Sequence, residues 1–380
     1  MSSYPLVPLG GLLNLAPDPH EVDPDAKYPI AGVYGFGRGM IQRAAVAGRE
    51  MAATQLFRIR AGQFIYSRLK SFEGAYAIVS PEVDGYFVSN EFPTFDLHRE
   101  RLDPGFLGWY FKQNRVWQQL ASDGKGIGAR RERLHPTRFL DHAIALPPIE
   151  EQRQITARLE SAAAQLKALH DVSNAARIEL NATREAAFRK VIDGAPRVAM
   201  GDIAPLVRRS VEIDPDETYT EIGVRSFYKG VFHRRTVKGT EFTWQKLFRI
   251  AGGDLVFSNL MAWEKAIALA SARDDGCVGN HRMLTCEVIR TRCLPTFLWY
   301  YFTTAEGLAQ VVAASPGSIA RNKTLSAELL SNITVPLPSL DAQHWFEALH
   351  TKTIAADAGR TSVGVELNRL IPALLHQVFG

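Results

Sequence analysis

One sequence pattern occurs twice in this chain. Leu56-Phe57-Arg58-Ile59 returns as Leu247-Phe248-Arg249-Ile250, an offset of 191 residues (247 − 56). Other pairs at this offset are Gly39 and Gly230, Gly62 and Gly253, Ser67 and Ser258, Glu73 and Glu264, and Tyr110 and Tyr301. One residue is predicted to be lost midway, so that Asn90 matches Asn280. Because solenoid units are only roughly 20–50 residues long, this period indicates a duplicated domain and restricts the fold to two related halves.

The bulk composition is that of an ordinary folded protein. A length of 380 residues allows two domains of usual size, and the chain is 46% hydrophobic and 22% charged. The first residues lack the basic start and apolar core of a signal peptide. No apolar run approaches the ~20 residues that span a bilayer. These features predict a cytoplasmic protein with no membrane association.

The three cysteines all lie in the second half of the chain. Cys277, Cys286 and Cys293 are odd in number and form no paired framework, which indicates reduced thiols in the cytoplasm. Together with His281 they could also be read as a metal cluster. Their spacing, C-x3-H-x4-C-x6-C, matches no common zinc pattern. The sequence therefore predicts buried thiols and no metal site.

The net charge of +4 is divided between the two repeats. Residues 1–148 hold 17 Lys and Arg against 15 Asp and Glu, and residues 200–338 hold 16 against 14, a net +2 in each. Residues 149–193 are neutral, because the seven basic residues there equal the seven acidic ones. Two like domains suit a target with two related halves, and DNA is the commonest such target. Binding to DNA would require the basic residues to gather on one face.

Each repeat begins with a mixed globular part rich in glycine and aromatic residues. The predicted strands are Gln63–Ser67 and Asp254–Ser258, with Tyr86–Val88 and Met283–Ile289 as a second pair. Pro104–Phe111 and Pro295–Phe302 each predict a short amphipathic helix, because proline is favoured in the first turn.

A long helix is predicted to follow the first globular part. Glu150–Asp193 contains no Pro or Gly, and Gly194 ends it. Apolar or small residues recur with alternating steps of four and three, as in a coiled coil: Ile155, Leu159, Ala162, Leu166, Leu169, Ser173, Ala176, Leu180, Thr183 and Ala187. The alternative is a single solvated helix, against which the small residues of this seam argue. About 45 residues would span roughly 65 Å, with a weak point at residues 171–174.

The matching C-terminal segment, residues 341–379, is a poorer helix because Gly359 and Gly364 interrupt it. Its natural partner is the first long helix. The predicted fold is α+β, with two pseudo-two-fold-related mixed α/β domains joined by an antiparallel pair of long coiled-coil helices. The predicted boundaries are 1–147 for domain 1, 148–194 for helix 1, 195–337 for domain 2 and 338–380 for helix 2.

The start of each long helix resembles a known family. Leu146-Pro147-Pro148-Ile149-Glu150-Glu151-Gln152 and Leu337-Pro338-Ser339-Leu340-Asp341-Ala342-Gln343 follow a globular domain and occur twice. This order resembles that of the specificity subunits of type I restriction–modification systems, and the resemblance covers essentially the whole chain. The second copy lacks the Glu-Gln pair of the first, which affects the expected strength of the second partner contact.

The resemblance implies a non-catalytic subunit with two target-recognition domains, each of which reads one half of a split double-stranded DNA site. The helices would measure the unread gap and bind two methyltransferase subunits, with Leu146, Pro147, Gln152, Leu337, Pro338 and Gln343 at the partner contact. No cofactor is implied for this chain; S-adenosylmethionine would serve the partner in adenine methylation. A separate restriction–translocase subunit is an optional further partner. The alternatives are a methylation-only or other phage-defence complex, and a protein-binding scaffold without a DNA role.

The chain lacks the motifs of the corresponding enzymes. It contains no Asn/Asp-Pro-Pro-aromatic tetrad and no G-x-x-x-x-G-K-S/T phosphate loop. Gly124–Gly128 shares only Gly126 with its counterpart, at Gly317, which favours a turn over nucleotide binding. These absences agree with a subunit that has no catalytic residues of its own.

Three polar loops provide the predicted DNA contacts. Positions on which the repeats agree are expected to bind phosphate or support the fold, and positions on which they differ are expected to read bases. The first loop gives Lys125, Arg130, Arg131 and Arg133 in one repeat and Arg321, Asn322 and Lys323 in the other. The second gives Arg38, Arg43, Lys229, Arg234 and Arg235, and the third Arg68, Lys70 and Asn259. For Arg130 and Arg321 the alternative is a salt bridge that holds the fold, and for any single residue here it is a solvated surface charge.

Overall fold

A computed structural model describes residues 4–122, 133–242, 246–317 and 323–380. The chain divides into two compact units. Unit 1 comprises Met1–Ser173 with Thr361–Gly380, and unit 2 comprises Asn174–Arg360. Each unit therefore contains one globular part together with segments of the long helices.

Unit 1 is built from short antiparallel strands with helices after them. Its strands are β1 (Leu6–Pro8), β2 (Leu13–Leu15), β3 (Pro19–Glu21), β4 (Lys27–Tyr28), β5 (Ala31–Val33), β6 (Met40–Gln42), β7 (Val46–Ala47), β8 (Gln55–Arg58), β9 (Phe64–Tyr66), β10 (Tyr76–Ile78), β11 (Phe87–Val88), β12 (Thr94–Leu97) and β13 (Ala143–Ala145). Its helices are α1 (Pro104–Tyr110), α2 (Asn114–Ser122), α3 (Pro136–Asp141) and the first part of α4 (Ile149–Ile192). The larger sheets have the orders β10-β9-β12-β2 and β11-β8-β3.

Unit 2 repeats this plan with longer strands. Its strands are β14 (Arg197–Ala199), β15 (Leu206–Val207), β16 (Ser210–Val211), β17 (Thr218–Val224), β18 (Val231–Lys238), β19 (Leu247–Arg249), β20 (Leu255–Ser258), β21 (Ile267–Leu269), β22 (Val278–Asn280), β23 (Met283–Cys286) and β24 (Thr334–Pro336). Its helices are α5 (Met200–Ile203), α6 (Pro295–Thr303), α7 (Ala305–Ala313), α8 (Ala327–Ser331) and most of α9 (Leu340–Leu367); α10 (Leu370–Phe379) belongs to unit 1. The sheets run β15-β23-β20-β21 and β16-β19-β22-β17-β18.

The sequence offset between the repeats is constant through the paired strands. Phe87 pairs with Arg58 in unit 1, and Val278 pairs with Arg249 in unit 2, which is the same pair moved by the full offset. The other large sheet of each unit shows the same offset, since Thr94 pairs with Ile65 in unit 1 and Thr285 pairs with Val256 in unit 2. The predicted loss of one residue at Asn90 is therefore wrong. Asn90 and Asn280 are identical but lie 190 residues apart, which suggested that the second repeat had lost one residue. The strand register shows no such loss.

Aromatic side chains form the core between the main sheet and the helices of unit 1. Phe64, Phe95 and Phe139 are fully buried, and the rings of Phe64 and Phe139 stack with centroids 5.3 Å apart. Asp103 begins α1 by accepting a hydrogen bond from the backbone N–H of Phe106, at 2.8 Å. Such a cap supplies a partner for one of the free N–H groups of the first helical turn. Phe106 and Leu107 of α1 lie in the same buried cluster as these rings.

The long helices contact one another within each unit. In unit 1, Leu159 of α4 lies in one apolar cluster with Leu375 of α10. In unit 2, the rings of Phe188 of α4 and Phe346 of α9 lie 5.0 Å apart. The early part of α4 thus contacts the end of the chain and its late part the start of α9, which is the order of an antiparallel pair. The α+β fold class and the paired long helices are confirmed.

Two details of the helices differ from expectation. Gly359 and Gly364 do not interrupt α9, which continues to Leu367, and the helical path breaks only at Asn368 and Arg369. A helical glycine is unfavourable by about 1 kcal/mol relative to alanine, and the surrounding turns tolerate it. The predicted seam of α4 is at least half-buried except at Leu169 and Thr183.

In the described residues, no helix is long and apolar enough to cross a membrane.

Candidate nucleic-acid interface

The third predicted loop contacts the end of the first in both units. The backbone carbonyl of Arg68 accepts a hydrogen bond from the N–H of Leu134, at 3.0 Å. Asn259 and Leu325 form the equivalent bond at 2.7 Å. The two pairs occupy equivalent positions in the two repeats, so this contact belongs to the common scaffold. It brings two loops that are distant in sequence side by side.

The second predicted loop joins this group through a short 3-10 turn. The N–H of Phe36 donates to the carbonyl of Glu73, at 2.6 Å, and Phe227 makes the same bond to Glu264, at 3.1 Å. Lys70, in the third loop, forms an ion pair with Glu73 at 3.8 Å. The second and third predicted loops and the described end of the first therefore lie together in each unit, and we refer to each such group as a loop cluster.

Cationic side chains in the unit 1 cluster remain accessible. Arg38 lies over the ring of Tyr34 at 4.9 Å and donates to the carbonyl of Gly35, at 3.1 Å. The side chains of Lys70 and Arg133 are 63% and 54% exposed. Arg133 also forms an ion pair with Glu91 at 2.9 Å. Exposed ion pairs are worth at most about 1 kcal/mol, so these cations are available to an anionic ligand.

The unit 2 cluster carries different side chains on the same scaffold. The ammonium of Lys229 lies 5.9 Å from the ring of Phe227, and that of Lys323 lies 5.8 Å from the ring of Trp263. Trp263 was not singled out from the sequence, because its repeat equivalent, Phe72, gives no polar or basic signal. Its indole N–H donates to the carbonyl of Leu260, at 2.9 Å, which fixes the ring beside the third loop.

Arg68 and Asn259 occupy equivalent positions in the two repeats, and each has a buried polar atom without a hydrogen-bond partner among the described residues. These atoms are Nε of Arg68 and Oδ1 of Asn259. Buried polar groups are normally satisfied, and unsatisfied ones are unfavourable by about 1–3 kcal/mol. One repeat therefore has an unpaired donor at this position and the other an unpaired acceptor.

Three of the predicted contact residues lie outside the loop clusters. Arg234 and Arg235 belong to β18 rather than to a loop, and Arg43 follows directly on β6. Arg235 pairs with the buried Glu221 at 2.9 Å, with its guanidinium 4.7 Å from the ring of Phe242. Two adjacent arginines near aromatics suggested a basic loop, but their hairpin partner is a buried carboxylate. Lys125, Arg130, Arg131, Arg321 and Asn322 lie outside the described residues.

The predicted partner-contact residues at the helix starts face into their own units. Gln152 and Gln343 are both fully buried, Pro147 is buried, and Leu146, Leu337 and Pro338 are half-buried. The amide of Gln152 donates to the carbonyls of Arg101, at 2.9 Å, and Pro147, at 2.8 Å, and accepts from the N–H of Asp103, at 2.9 Å.

Gln343 makes the same three hydrogen bonds at the equivalent position of the second repeat. It donates to the carbonyls of Arg292, at 3.2 Å, and Pro338, at 2.9 Å, and accepts from the N–H of Leu294, at 2.8 Å. These bonds tie the first turn of each long helix to the loop before α1 or α6. The leucine–proline–glutamine pattern is therefore explained by a helix anchor, whatever further contacts its exposed neighbours make.

The cysteines and acidic residues offer no metal centre in the described part of the chain, where no group of three or more His, Cys, Asp or Glu residues is placed to hold an ion. Cys277, Cys286 and Cys293 are buried free thiols, and burial raises the pKa of Cys286 and of Cys293 to about 12. Such thiols are poor nucleophiles at neutral pH, because the reactive form is the thiolate.

The two repeated units and their paired helices define a fold class seen in solved structures. No protein-family model and no curated protein matches the chain. A chain from a structure on complex assembly and conformational transition of the type I restriction–modification system has a TM-score of 0.71 and 18% identity, over 99% of this chain and 97% of that one. The HsdS subunit of Thermoanaerobacter tengcongensis gives 0.61 and 17%, over 100% and 97%.

A third similar structure is the specificity (S) subunit of a type I restriction–modification system from M. genitalium, with a TM-score of 0.50, 12% identity, and coverage of 100% and 96%. Near-complete coverage in both directions means that the likeness extends to both globular parts and both helices. The chain therefore has the fold of type I specificity subunits, as the sequence resemblance predicted.

Proposed function

We propose that this chain is a non-catalytic DNA-specificity subunit that reads a bipartite site and directs an adenine methyltransferase to it. The observation that carries the proposal is the loop cluster, which the chain builds twice. Its scaffold bonds are identical in the two units, whereas the polar side chains on it differ, as with Arg68 and Asn259. A constant scaffold with variable contact residues is what recognition of two different half-sites requires.

The long helices support a partner-binding role in this proposal. Large apolar side chains are exposed on α4 and α9, including Val172 at 68%, Ile178 at 66%, Trp345 at 54% and Val363 at 58%. Exposed apolar residues on a helix are suited to packing against partner helices. Methyltransferase subunits that use S-adenosylmethionine would bind there, and a restriction–translocase subunit would join as a further component.

The test is sequencing of methylated adenines in DNA exposed to the chain and its co-purified methyltransferase subunits. We expect one motif with two specified halves and a fixed gap. Asn322→Ala should change the preference in one half only, by about 1–3 kcal/mol of discrimination. Arg130→Ala and Arg321→Ala should weaken binding to all sequences.

Three outcomes would bear on the proposal in different ways. Loss of both half-sites from Asn322→Ala would contradict the division of labour between units. A DNA affinity that barely responds to salt would instead favour a protein-binding scaffold, because phosphate contacts release counterions. A motif methylated without any associated nuclease would retain the specificity role within a methylation-only complex.

A further inference from the structure

Each loop cluster presents one phenylalanine in a backbone conformation that non-glycine residues rarely adopt. Phe36 has a φ of 62° and Phe227 a φ of 61°, and the two residues occupy equivalent positions in the repeats. A bulky residue in this left-handed region is a steric outlier. Its occurrence at the same position in both units means that the scaffold imposes it, through the hydrogen bonds to Glu73 and Glu264.

The side chains at these two strained positions are exposed to solvent. Phe36 is 65% exposed and Phe227 is 62% exposed. Ordinary packing cannot explain two large apolar side chains that remain in solvent at equivalent positions. Strain that persists in a fold is typical of binding sites, where it presents a group for use.

A cation accompanies each ring. The guanidinium of Arg38 lies 5.8 Å from the ring of Phe36, and the ammonium of Lys229 lies 5.9 Å from that of Phe227. Arg38 and Lys229 are themselves repeat equivalents. The neighbours between ring and cation differ, since Gly37 is replaced by Tyr228. The ring and its positive charge are retained, and this pairing of an apolar plane with a cation suits stacked bases bordered by phosphate.

We propose that Phe36 and Phe227 are wedges that insert between base pairs of the DNA, one in each half-site, while Arg38 and Lys229 bind the adjacent phosphates. The proposal rests on the DNA-recognition function above and adds a mechanism to it. Apolar wedges of this kind partly unstack a base step and kink the duplex. Because the two units share the same residue, the wedge fixes the position of each unit on DNA without reading its sequence.

The test uses the full chain in complex with its methyltransferase subunits and the duplex defined by methylation sequencing. 2-Aminopurine is placed at successive steps of each half-site, since its fluorescence rises when a base is unstacked. Because a methyltransferase flips its target base out of the duplex, we expect one responsive step in each half in addition to the target adenine. Phe36→Asn should abolish the response in the half bound by unit 1 only, and Phe227→Asn the response in the other half only.

Asparagine is chosen because it tolerates the left-handed conformation, so the fold should remain intact, which thermal melting will check. Affinity should fall about 5- to 100-fold, the range for loss of one stacked base. Phe36→Trp keeps an aromatic ring at this position, so it should retain the wild-type affinity and the 2-aminopurine response that Phe36→Asn loses. Leu15→Asn is the control, because Leu15 is an exposed apolar residue of unit 1 that lies in β2, outside the loop cluster.

The possible failures are distinguishable. If wild-type protein binds the duplex and both asparagine variants retain its fluorescence response, the wedge is refuted and the specificity function stands. If the variants instead lose their methyltransferase subunits while they still unstack DNA, the rings are a protein contact and the wedge is again refuted. A wild-type complex that does not bind DNA would overturn both proposals.

Discussion

At the scale of single residues, a buried glutamine determines where each long helix begins. Three hydrogen bonds from Gln152 satisfy backbone groups that are far apart in sequence, and Gln343 repeats them. The sequence revealed this glutamine only as part of a recurring motif. Its bonding partners could not be predicted, because Arg101 and Asp103 carry no signal for a backbone contact with residue 152.

Gln152→Ala should destabilise unit 1. The substitution leaves the buried N–H of Asp103 and two carbonyls without partners, and each such group is unfavourable by about 1–3 kcal/mol. We expect the free energy of unfolding to fall by about 2–5 kcal/mol in urea titration. Gln154→Ala, at an exposed position two residues later, is the control. Equal effects of the two substitutions would contradict the anchoring role.

At the scale of elements, the sequence predicted the strands and helices that a local residue pattern determines. It did not predict the contacts that form only when two strands pair. Strands β9 and β20 and helices α1, α4 and α6 lie where the short apolar runs, proline and the heptad seam placed them. The β17–β18 hairpin was not predicted, and neither was the ion pair that it forms between Arg235 and Glu221. Glu221 becomes buried when β17 pairs with its neighbouring strands, and no local sequence pattern indicates this burial.

One packing contact between elements makes stability depend on pH. His350 of α9 is 8% exposed between the rings of Phe346 and Tyr300, and its Nδ1 has no partner among the described residues. Burial, and then the positive charge of Arg184 on α4, lower the pKa of His350 below its ordinary value of about 6.5, against a smaller opposing effect of Glu347. Over this range the unfolded chain binds more protons than the folded one.

The contribution of neutral His350 to stability is therefore fully present above the unfolded-state pKa and lost as the pH falls below it. We expect the wild-type melting temperature to drop between pH 7.5 and pH 5.5 by more than that of His350→Gln. His344→Gln makes the same chemical change at an exposed position of α9. Identical pH profiles for the wild-type protein and His350→Gln would refute the assignment.

At the scale of the whole molecule, one continuous helix belongs to both compact units. The division between them falls at Ser173 and Asn174, inside α4, and the helix is continuous through the weak point that the sequence predicted at residues 171–174. Side chains around this position are mostly exposed. Length can therefore be changed here with little loss of buried contacts.

Insertion of about one helical turn after Asn174 should change the accepted gap between half-sites. One turn adds about 5.4 Å, which corresponds to roughly 1–2 base pairs. Sequencing of methylated sites from the variant will measure the gap, with Asn174→Ala as the length-neutral control. An unchanged gap would mean that the helix does not set the spacing.

The glutamine anchor has a consequence for how globular domains can be exchanged between chains of this fold. Gln152 and Gln343 bond to backbone groups of the globular part that precedes each helix, so a segment that ends at residue 152 or 343 contains both the anchor and its partners. Under the function proposed above, a genetic crossover just after the repeated glutamine codon would therefore transplant a whole recognition domain, with its anchor, onto an existing helix. A lineage could acquire a new half-site in one recombination event, without passing through the weakened intermediates that stepwise mutation of a loop cluster would require.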